Sequence, residues 1–456
     1  MTASDVRAPR RGQRNRALVA SWLGTTVEYY DFSIYGLASS VVFAQLFFPN
    51  SNPVTGTLLS LSTFAIGFIA RPVGAVVFGH FGDRMGRKST LVATLGLMGL
   101  ATFAVGLLPT YDQVGSLAPI LLIIARLAQG FSVGGEYGGA ILMTIEHADR
   151  DERSFRGSLV NTGTSAGLLL ANLVFLGVLQ LPDDQLLAWG WRLPFLLSAV
   201  LVGVGLFVRL RLDESPEFEA VKAQNAVGRL PVVDVFRECG GRVLLVALGI
   251  LSAGVAFTLA SVYSLGYGQS ALHLSKDTMI SVLLPATLVI IVCVPLAGKL
   301  ADRFGNRSVF LAGAASLIFL PFVWLALLQT GQYWLMLLGF TLLFIGYSAN
   351  YGVVPAYFSQ VFPARLRFTG MSIGFTLGLI AGNAFAPDIA TYLLHVTGGW
   401  VGIAVYMAAM SVISLVAGLF LREPADAPAP SLDAAPSLAP ASRVAGRGAA
   451  QLRGEA

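Results

Sequence analysis

Four charged side chains lie within apolar stretches of this sequence: the acids Glu28 and Asp31, and the arginines Arg71 and Arg126. Glu28 and Asp31 are three residues apart, so a helix would place them on one face, with Tyr35 one turn further on. A carboxylate at the centre of a membrane helix costs at least about 2.5–3.5 kcal/mol and is therefore expected to face a cavity or a partner. There it can exchange a proton, because its ionisation follows the balance of burial and neighbouring charge.

We expect Asp31 to carry a proton and Glu28 to be either its partner or a substrate contact. The alternative is a permanently paired structural ion. Arg126 begins an R-x-x-x-G-x-x-x-G stripe with Gly130 and Gly134, whose spacing lets another helix approach closely.

Arg71 lies deep in a second apolar segment and is followed by Pro72, which removes a backbone donor. The forked guanidinium groups of Arg71 and Arg126 suit a carboxylate substrate, although each could instead be a buried counter-ion that holds helices together. Glu136, in the sequence GGEYGG, and Tyr35 are further candidates for substrate contact.

The composition indicates a membrane protein. Of 456 residues, 55% are hydrophobic and only 12% are charged, whereas soluble domains carry about 25% charged residues. The net charge of +5 does not indicate nucleic-acid binding, because the basic residues recur in short clusters between apolar runs. Two distant cysteines and four scattered histidines form no metal-binding pattern, so neither a metal nor another cofactor is expected.

Twelve segments are long enough to cross a bilayer, at about 20 residues each. The six in the first half of the chain are 18–47, 57–81, 89–109, 117–145, 156–179 and 191–211. The six in the second half are 241–268, 277–300, 308–328, 333–361, 367–394 and 398–421. We expect a basic N-terminus over 1–17, six-helix bundles over 18–211 and 241–421, a linker over 212–240 and a disordered tail over 422–456.

Loops rich in arginine and lysine alternate along the chain with loops that contain few basic residues. Arginine and lysine are frequent in the N-terminus, in the loops after the second, fourth, eighth and tenth segments and in the central linker, whereas the alternate loops contain only Lys276. The positive-inside rule then predicts that both termini are cytoplasmic, which agrees with an even number of spans.

A repeated loop relates the two halves. The sequence GHFGDRMGRK, Gly79 to Lys88, recurs as GKLADRFGNR, Gly298 to Arg307, 219 residues later. Each copy follows the second segment of its half, as expected for two parallel six-helix repeats around a central cavity. The residues that we expect to form this gating motif are Gly79, Asp83, Arg84, Gly86, Arg87, Lys88, Asp302, Arg303, Gly305 and Arg307.

This loop resembles the hallmark of the major facilitator superfamily, and the resemblance extends over about 18–421. Four longer motifs resemble its metabolite:proton symporters, which include carriers of shikimate, α-ketoglutarate, citrate, proline and betaine. They are GTTVEYYDFSIYG (24–36), ARPVGAVVFGHFGDRMGRK (70–88), RLAQGFSVGGEYGGA (126–140) and FPARLRFTGMS (362–372). The resemblance implies an all-α fold, alternating access, proton coupling and a role in that coupling for Arg126. It also implies a bacterial inner-membrane location.

The second half offers mainly neutral polar and aromatic candidates for the cavity surface. Its only clearly intramembrane carboxylate is Asp388, beside Pro387. We expect substrate contacts from Tyr351, Asn350 and Asn383, with Tyr263, Tyr267, Tyr347 and Tyr357 as further candidates. Charge therefore concentrates in the first half, where we expect the proton machinery.

The leading hypothesis is proton-driven uptake of a small organic acid or related metabolite by a monomeric unit in the bilayer. A symporter of a zwitterionic compatible solute, such as proline or betaine, is the alternative. Drug efflux is a third possibility within the same fold. A membrane-embedded enzyme is disfavoured because no nucleophile with a base is evident, and a receptor because no soluble output domain is present.

Overall fold

The computed structural model describes residues 11–224 and 231–422, here called the first and second halves. The helices of the first half are α1 (Arg11–Val41), α2 (Phe43–Phe47), α3 (Pro53–Met85), α4 (Arg87–Leu107), α5 (Tyr111–Val114), α6 (Leu117–His147), α7 (Arg153–Val178), α8 (Asp183–Ala188), α9 (Leu193–Leu210) and α10 (Pro216–Ala223). The predictions for residues 1–10, 225–230 and 423–456, including the tail, lie outside the described residues.

The second half contains ten further helices, two pairs of which are joined by single π-helical turns at Leu259–Tyr263 and Ile380–Ala384. They are α11 (Pro231–Gly249), α12 (Leu251–Thr258), α13 (Ser264–Ser270), α14 (Lys276–Phe304), α15 (Asn306–Leu328), α16 (Tyr333–Tyr351), α17 (Val354–Gln360), α18 (Arg367–Leu379), α19 (Ala386–Thr397) and α20 (Val401–Phe420).

Eleven helical segments of the described chain are long and apolar enough to cross a membrane. Helix α1 is also long enough, at 31 residues, but it carries Glu28 and Asp31 among its apolar residues. The prediction of an all-helical membrane fold is confirmed, and the predicted span that is not among the eleven, the first (18–47), corresponds to this polar helix. The seventh span begins at Pro231 rather than at the predicted 241.

The two copies of the repeated loop have the same backbone form. Helix α3 ends at Gly86, with φ of 116°, and α14 ends at Gly305, with φ of 90°. Residues with a side chain rarely adopt these positive φ values. Glycine therefore allows the backbone to turn directly into the next helix at both loops. The caps at the other ends also match: Asn52 accepts a bond from the Thr55 amide, and Ser275 accepts one from the Thr278 amide.

Helices α3 and α6 pack backbone against backbone along the predicted glycine stripe. A Cβ atom added at Gly130 would lie 2.0 Å from the Gly67 carbonyl oxygen, and one at Gly134 would lie 2.1 Å from the Arg71 carbonyl oxygen. Only glycine permits this approach. The close packing fixes Arg71 and Arg126 relative to one another, because each arginine is on one of these two helices.

The two halves meet at the end of the molecule that carries the repeated loops, here called the basic end. Asp83 of α3 accepts bonds from the amides of Phe368 (3.2 Å) and Thr369 (2.8 Å), at the start of α18. Asp302 of α14 accepts bonds from the amides of Ser154 and Phe155, both 2.9 Å, at the start of α7. Each acid thus caps a helix of the opposite half, where the helix dipole favours negative charge.

Candidate functional site

All four intramembrane charges predicted from the sequence line one cavity. Glu28, Asp31, Arg71 and Arg126 all lie on its surface, which α1, α3, α4 and α6 form. A second cavity shares Glu28 and Arg71 and reaches α18 of the other half. The residues that complete the second cavity are Tyr29, Val133, Tyr137, Phe375, Thr376 and Leu379. Charges from separate parts of the sequence therefore converge within the first half, and Glu28 and Arg71 also line the cavity that reaches the second half.

Asp31 has two unlike carboxylate oxygens. Its Oδ2 accepts a hydrogen bond from the Thr102 hydroxyl at 2.6 Å, whereas its Oδ1 is buried without a hydrogen-bond partner in the described chain. The Oε2 of Glu28 is likewise buried and unpartnered. A buried carboxylate oxygen without a donor is costly while it is ionised. Both acids are thus suited to taking up a proton or meeting a ligand.

Arg126 is held in place without a direct ion pair to an acid in the described residues. It donates to the Phe64 carbonyl and to Gln129, both at 3.3 Å, and its guanidinium lies 4.4 Å from the centre of the Tyr35 ring. The Tyr35 hydroxyl in turn donates to Thr63 at 2.9 Å. Tyr35 does not line these two cavities but packs against Arg126, and its predicted contact with substrate stays a prediction.

Arg71 is the cavity cation with the fewest partners. Its guanidinium packs 4.5 Å from the centre of the Phe68 ring and 5.4 Å from that of Phe32. Among the described residues no carboxylate lies within ion-pair distance of it, and its Nε has no hydrogen-bond partner. Cation–π contacts stabilise the charge but leave its forked donors unused. Arg71 can therefore receive an anionic group in either cavity.

Glu136, a predicted substrate contact, forms a buried ion pair inside the protein. Its carboxylate pairs directly with Arg209 of α9 and accepts a 2.6 Å bond from Thr94 of α4. Glu136 and Arg209 are each about 1% exposed, and neither lines the two cavities. The structure therefore gives Glu136 an internal partner, and its contact with substrate stays a prediction.

The residues of the second half that were predicted as substrate contacts lie in different places in the structure. Asn350 is fully buried and bonds to Ser252 and to the Phe310 carbonyl, away from both cavities. The rings of Tyr347 and Tyr351 stack 5.2 Å apart, and the Tyr351 carbonyl accepts a bond from Asn161 of the first half. The Oδ1 of Asn383, in the π-helical turn, is buried without a partner in the described chain. Asp388 is exposed, at the first turn of α19.

Only part of the predicted gating motif contacts the opposite half. Besides the acids, Gly79 and Gly82 approach Thr369 and Phe368, and Arg87 donates to the Ala364 carbonyl at 2.9 Å. Arg84 and Arg303 are exposed, and Arg307 donates to Leu419 within its own half. The Lys88 amide donates to Glu214, as does that of Arg87, so Glu214 caps α4.

Sequence reasoning did not identify Thr102, Gln129, Thr94 or Arg209. The first three are neutral, and helices contain many such residues whose facing partners depend on tertiary packing. Gln129 had one usable signal, since it is three residues after Arg126 and so shares a helix face with it. Arg209 is close to the end of a predicted span, where arginine commonly reaches the membrane surface.

Comparisons with known proteins agree with this architecture. The sequence model of the Major Facilitator Superfamily matches residues 21–382 and 270–451. The chain belongs to the major facilitator superfamily. The inner membrane metabolite transport protein YhjE of Escherichia coli K12 is 40% identical over 419 residues, covering 90% of this chain and 94% of that protein.

Two further relatives from Escherichia coli K12 have named solutes. The shikimate transporter is 36% identical and covers 90% of this chain and 94% of its own length. The proline/betaine transporter is 31% identical, with 94% and 87% covered. The resemblance to metabolite:proton symporters is thereby confirmed. This chain is a multi-pass transport protein of the bacterial inner membrane.

Solved structures share the fold. The proton:xylose symporter XylE bound to 6-bromo-6-deoxy-D-glucose superposes with a TM-score of 0.68 at 18% identity, covering 90% of this chain and 95% of that chain. FucP in its outward conformation superposes with a TM-score of 0.65 at 14% identity, covering 90% and 100%.

Proposed function

We propose that this protein is a proton symporter that imports a small organic acid by alternating access. The observation that carries the proposal is the charge arrangement in the cavity: Arg71 has free donors, and Asp31 nearby has a free carboxylate oxygen. Both relatives with named solutes transport small polar metabolites. One chain supplies every group in this arrangement, so we propose a monomeric functional unit in the bilayer.

The cavity charges suggest how a proton and an anion are coupled. With Glu28 and Asp31 ionised, their two negative charges balance Arg71 and Arg126. Protonation of Asp31 leaves one positive charge in excess, which favours entry of an anionic substrate beside Arg71. The substrate carboxylate then restores the balance. Proton and anion therefore bind together at lower electrostatic cost than either alone, as symport requires.

The contacts between the two halves at the basic end suggest how the cavity is closed on one side. If that end faces the cytoplasm, as the loop charges predict, the Asp83 and Asp302 caps close the cavity toward the cytoplasm. Inward opening then requires α18 to leave Asp83 and α7 to leave Asp302. The two caps are equivalent in the two halves, so we propose that they break together.

A zwitterionic solute is the second candidate, because the second cavity also offers aromatic faces. The rings of Tyr137 and Phe375 stack 3.8 Å apart across the two halves, and Glu28 shares their cavity. The quaternary ammonium group of such a solute could bind against the aromatic faces, while the carboxylate of the same solute contacts Arg71.

The first test is a thermal-shift screen of the purified full-length protein against shikimate, citrate, proline and glycine betaine. A ligand that binds the folded state raises the apparent melting temperature, and at equal concentrations the tighter ligand raises it more. The strongest stabiliser then serves as the uptake probe in proteoliposomes with an imposed pH gradient. Accumulation that follows the gradient supports the proposal, whereas uptake indifferent to the gradient contradicts proton coupling.

Arg71 variants test the carboxylate contact that both candidate solutes would make. We expect Arg71→Gln to weaken binding of an acid probe by about 10- to 100-fold, because a charge-assisted bidentate contact is lost. Arg71→Lys should recover part of the affinity. Arg211→Gln, which changes an exposed arginine at the end of α9, is the matched control. Unchanged acid affinity in Arg71→Gln would contradict the assignment of Arg71 to the substrate.

A further inference from the structure

A continuous chain of hydrogen bonds joins Arg126 to Asp31 through two neutral side chains. Arg126 donates to Gln129 Oε1 at 3.3 Å. Gln129 Nε2 donates to Thr102 Oγ1 at 2.6 Å, and that hydroxyl donates to Asp31 Oδ2 at 2.6 Å. Gln129 is 2% exposed, and Thr102 is fully buried. The arginine and the acid are thus linked, although they form no direct ion pair.

The chemistry of the groups fixes the direction of every bond. A guanidinium can only donate, so the oxygen of the Gln129 amide must face Arg126 and its NH₂ must face Thr102. The Thr102 oxygen therefore accepts from Gln129, and its single hydrogen is free to donate onward. All three bonds point toward Asp31. Such a chain stabilises the ionised carboxylate, and each bond polarises the next.

Thr102 has a second acceptor for its hydrogen. The carbonyl oxygen of Met98, one turn back in α4, lies 3.0 Å from the same hydroxyl. The hydroxyl has one hydrogen and cannot fully satisfy both acceptors. While Asp31 is ionised, the charge-assisted bond to Asp31 is the stronger of the two. Once Asp31 is neutral, rotation toward Met98 costs little.

The other charged residues on the helices around Asp31 are not part of this hydrogen-bond chain. Glu28 is on the same helix, and Arg71 reaches the cavity from α3. Glu136 and Arg209, from α6 and α9, neutralise each other. The charged residues of α4 and α7 are confined to their first turns, at the basic end: Arg87, Lys88, Arg153 and Arg156. Thr102 is thus the neutral donor that acts on Asp31 directly.

We propose that Thr102 and Gln129 are positioning residues that set the pH at which Asp31 exchanges its proton with water in the cavity. Thr102 supplies the donor that favours the ionised acid, and Gln129 holds that donor in its direction while being held by Arg126. The proton itself binds to the unpartnered Oδ1 of Asp31. This inference rests on the proposed role of Asp31 as proton carrier.

The test is an infrared titration of the full-length protein in nanodiscs without substrate. The carbonyl band of a protonated carboxylic acid is followed against pH, and its loss in Asp31→Asn assigns the Asp31 component. In Thr102→Val, which keeps the shape and removes the donor, we expect the midpoint to rise by about one pH unit. Thr102→Ser should restore the original midpoint, because it keeps the hydroxyl.

Thr94→Val is the matched control, because it removes a 2.6 Å bond from the same helix to Glu136 instead. It should leave the Asp31 midpoint unchanged. Gln129→Leu should shift the midpoint upward by less than Thr102→Val does, and it replaces that variant if Thr102→Val does not fold. An Asp31 band that titrates at the same pH in both Thr102→Val and Gln129→Leu overturns this inference alone. If no titrating band depends on Asp31, the proposed proton carrier itself is wrong.

Discussion

Asp31 and Glu136 are both buried acids of the first half, and each accepts a 2.6 Å bond from a threonine of α4. They differ in how they meet an arginine. Glu136 pairs directly with Arg209, whereas Asp31 reaches Arg126 only through Thr102 and Gln129 and keeps one oxygen without a partner. Direct pairing holds a charge permanently, and indirect pairing leaves an acid able to change its charge. We therefore propose that Glu136 is a structural acid and Asp31 a functional one.

The largest expected effect is on stability at Glu136. Glu136→Gln leaves Arg209 buried without its counter-ion, so we expect the free energy of unfolding to fall by about 3–5 kcal/mol. Asp31→Asn strands no directly paired cation, and the new amide oxygen can still accept from Thr102. Its stability should be close to that of the parent protein. Thermal unfolding of both variants in one detergent checks this difference.

The double variant Glu136→Met/Arg209→Met sharpens the same point. Removing both charges avoids the unpaired ion, so much of the stability lost in Glu136→Gln should return. If the double variant is as unstable as the single variant, direct pairing with Arg209 is not what holds Glu136 in place.

The arginines Arg126 and Arg209 should differ as their acids do, with Arg126 affecting transport and Arg209 affecting stability. Arg126→Lys keeps the charge but cannot donate to Phe64 and Gln129 while lying flat on Tyr35, since lysine has no planar fork. We expect gradient-driven uptake to fall about tenfold or more, with little change in folding. Arg209→Lys should instead lower stability. Proton-linked uptake that is unaltered in Arg126→Lys would return that arginine to a structural role.

The smallest effect concerns Glu217 on α10, outside the membrane-spanning segments. Burial of Glu217 acts to raise its pKa, but ion pairs with Arg367 and Arg153 outweigh this and lower the pKa below its usual range. The carboxylate therefore stabilises the contact at neutral pH, and this contribution is lost as the pH falls from the ordinary glutamate value through the lowered one. Like Glu136, Glu217 should act as a structural acid.

We expect Glu217→Gln to destabilise the protein by about 1 kcal/mol at pH 7, because the pairs are partly exposed. The difference from the parent protein should shrink below about pH 4. Melting temperatures of the two proteins across pH 3–7 measure it. A difference that does not vary with pH would show that the ion pairs are not its origin.

Sequence patterns were sufficient for the membrane fold and for the four charged residues that line the cavity. Length, apolarity and the repeated DRxGR loop do not depend on tertiary detail, and a charge inside a span must face the interior. The partner of each charge could not be predicted. Glu136 and Arg209 are 73 residues apart, and α4 supplies Thr94 and Thr102 only because of how the helices rotate in the bundle. Asn350 likewise was predicted for the cavity but packs inside its own half.

The central claim is that Asp31 couples the proton to the solute. Its most direct test compares gradient-driven accumulation with solute exchange in proteoliposomes that contain the parent protein, Asp31→Asn or Asp31→Glu, with radiolabelled shikimate or the strongest stabiliser from the screen as probe. We predict that Asp31→Asn exchanges internal for external solute but no longer accumulates it under an imposed pH gradient, and that Asp31→Glu retains part of the accumulation. Accumulation by Asp31→Asn equal to that of the parent protein would contradict the account.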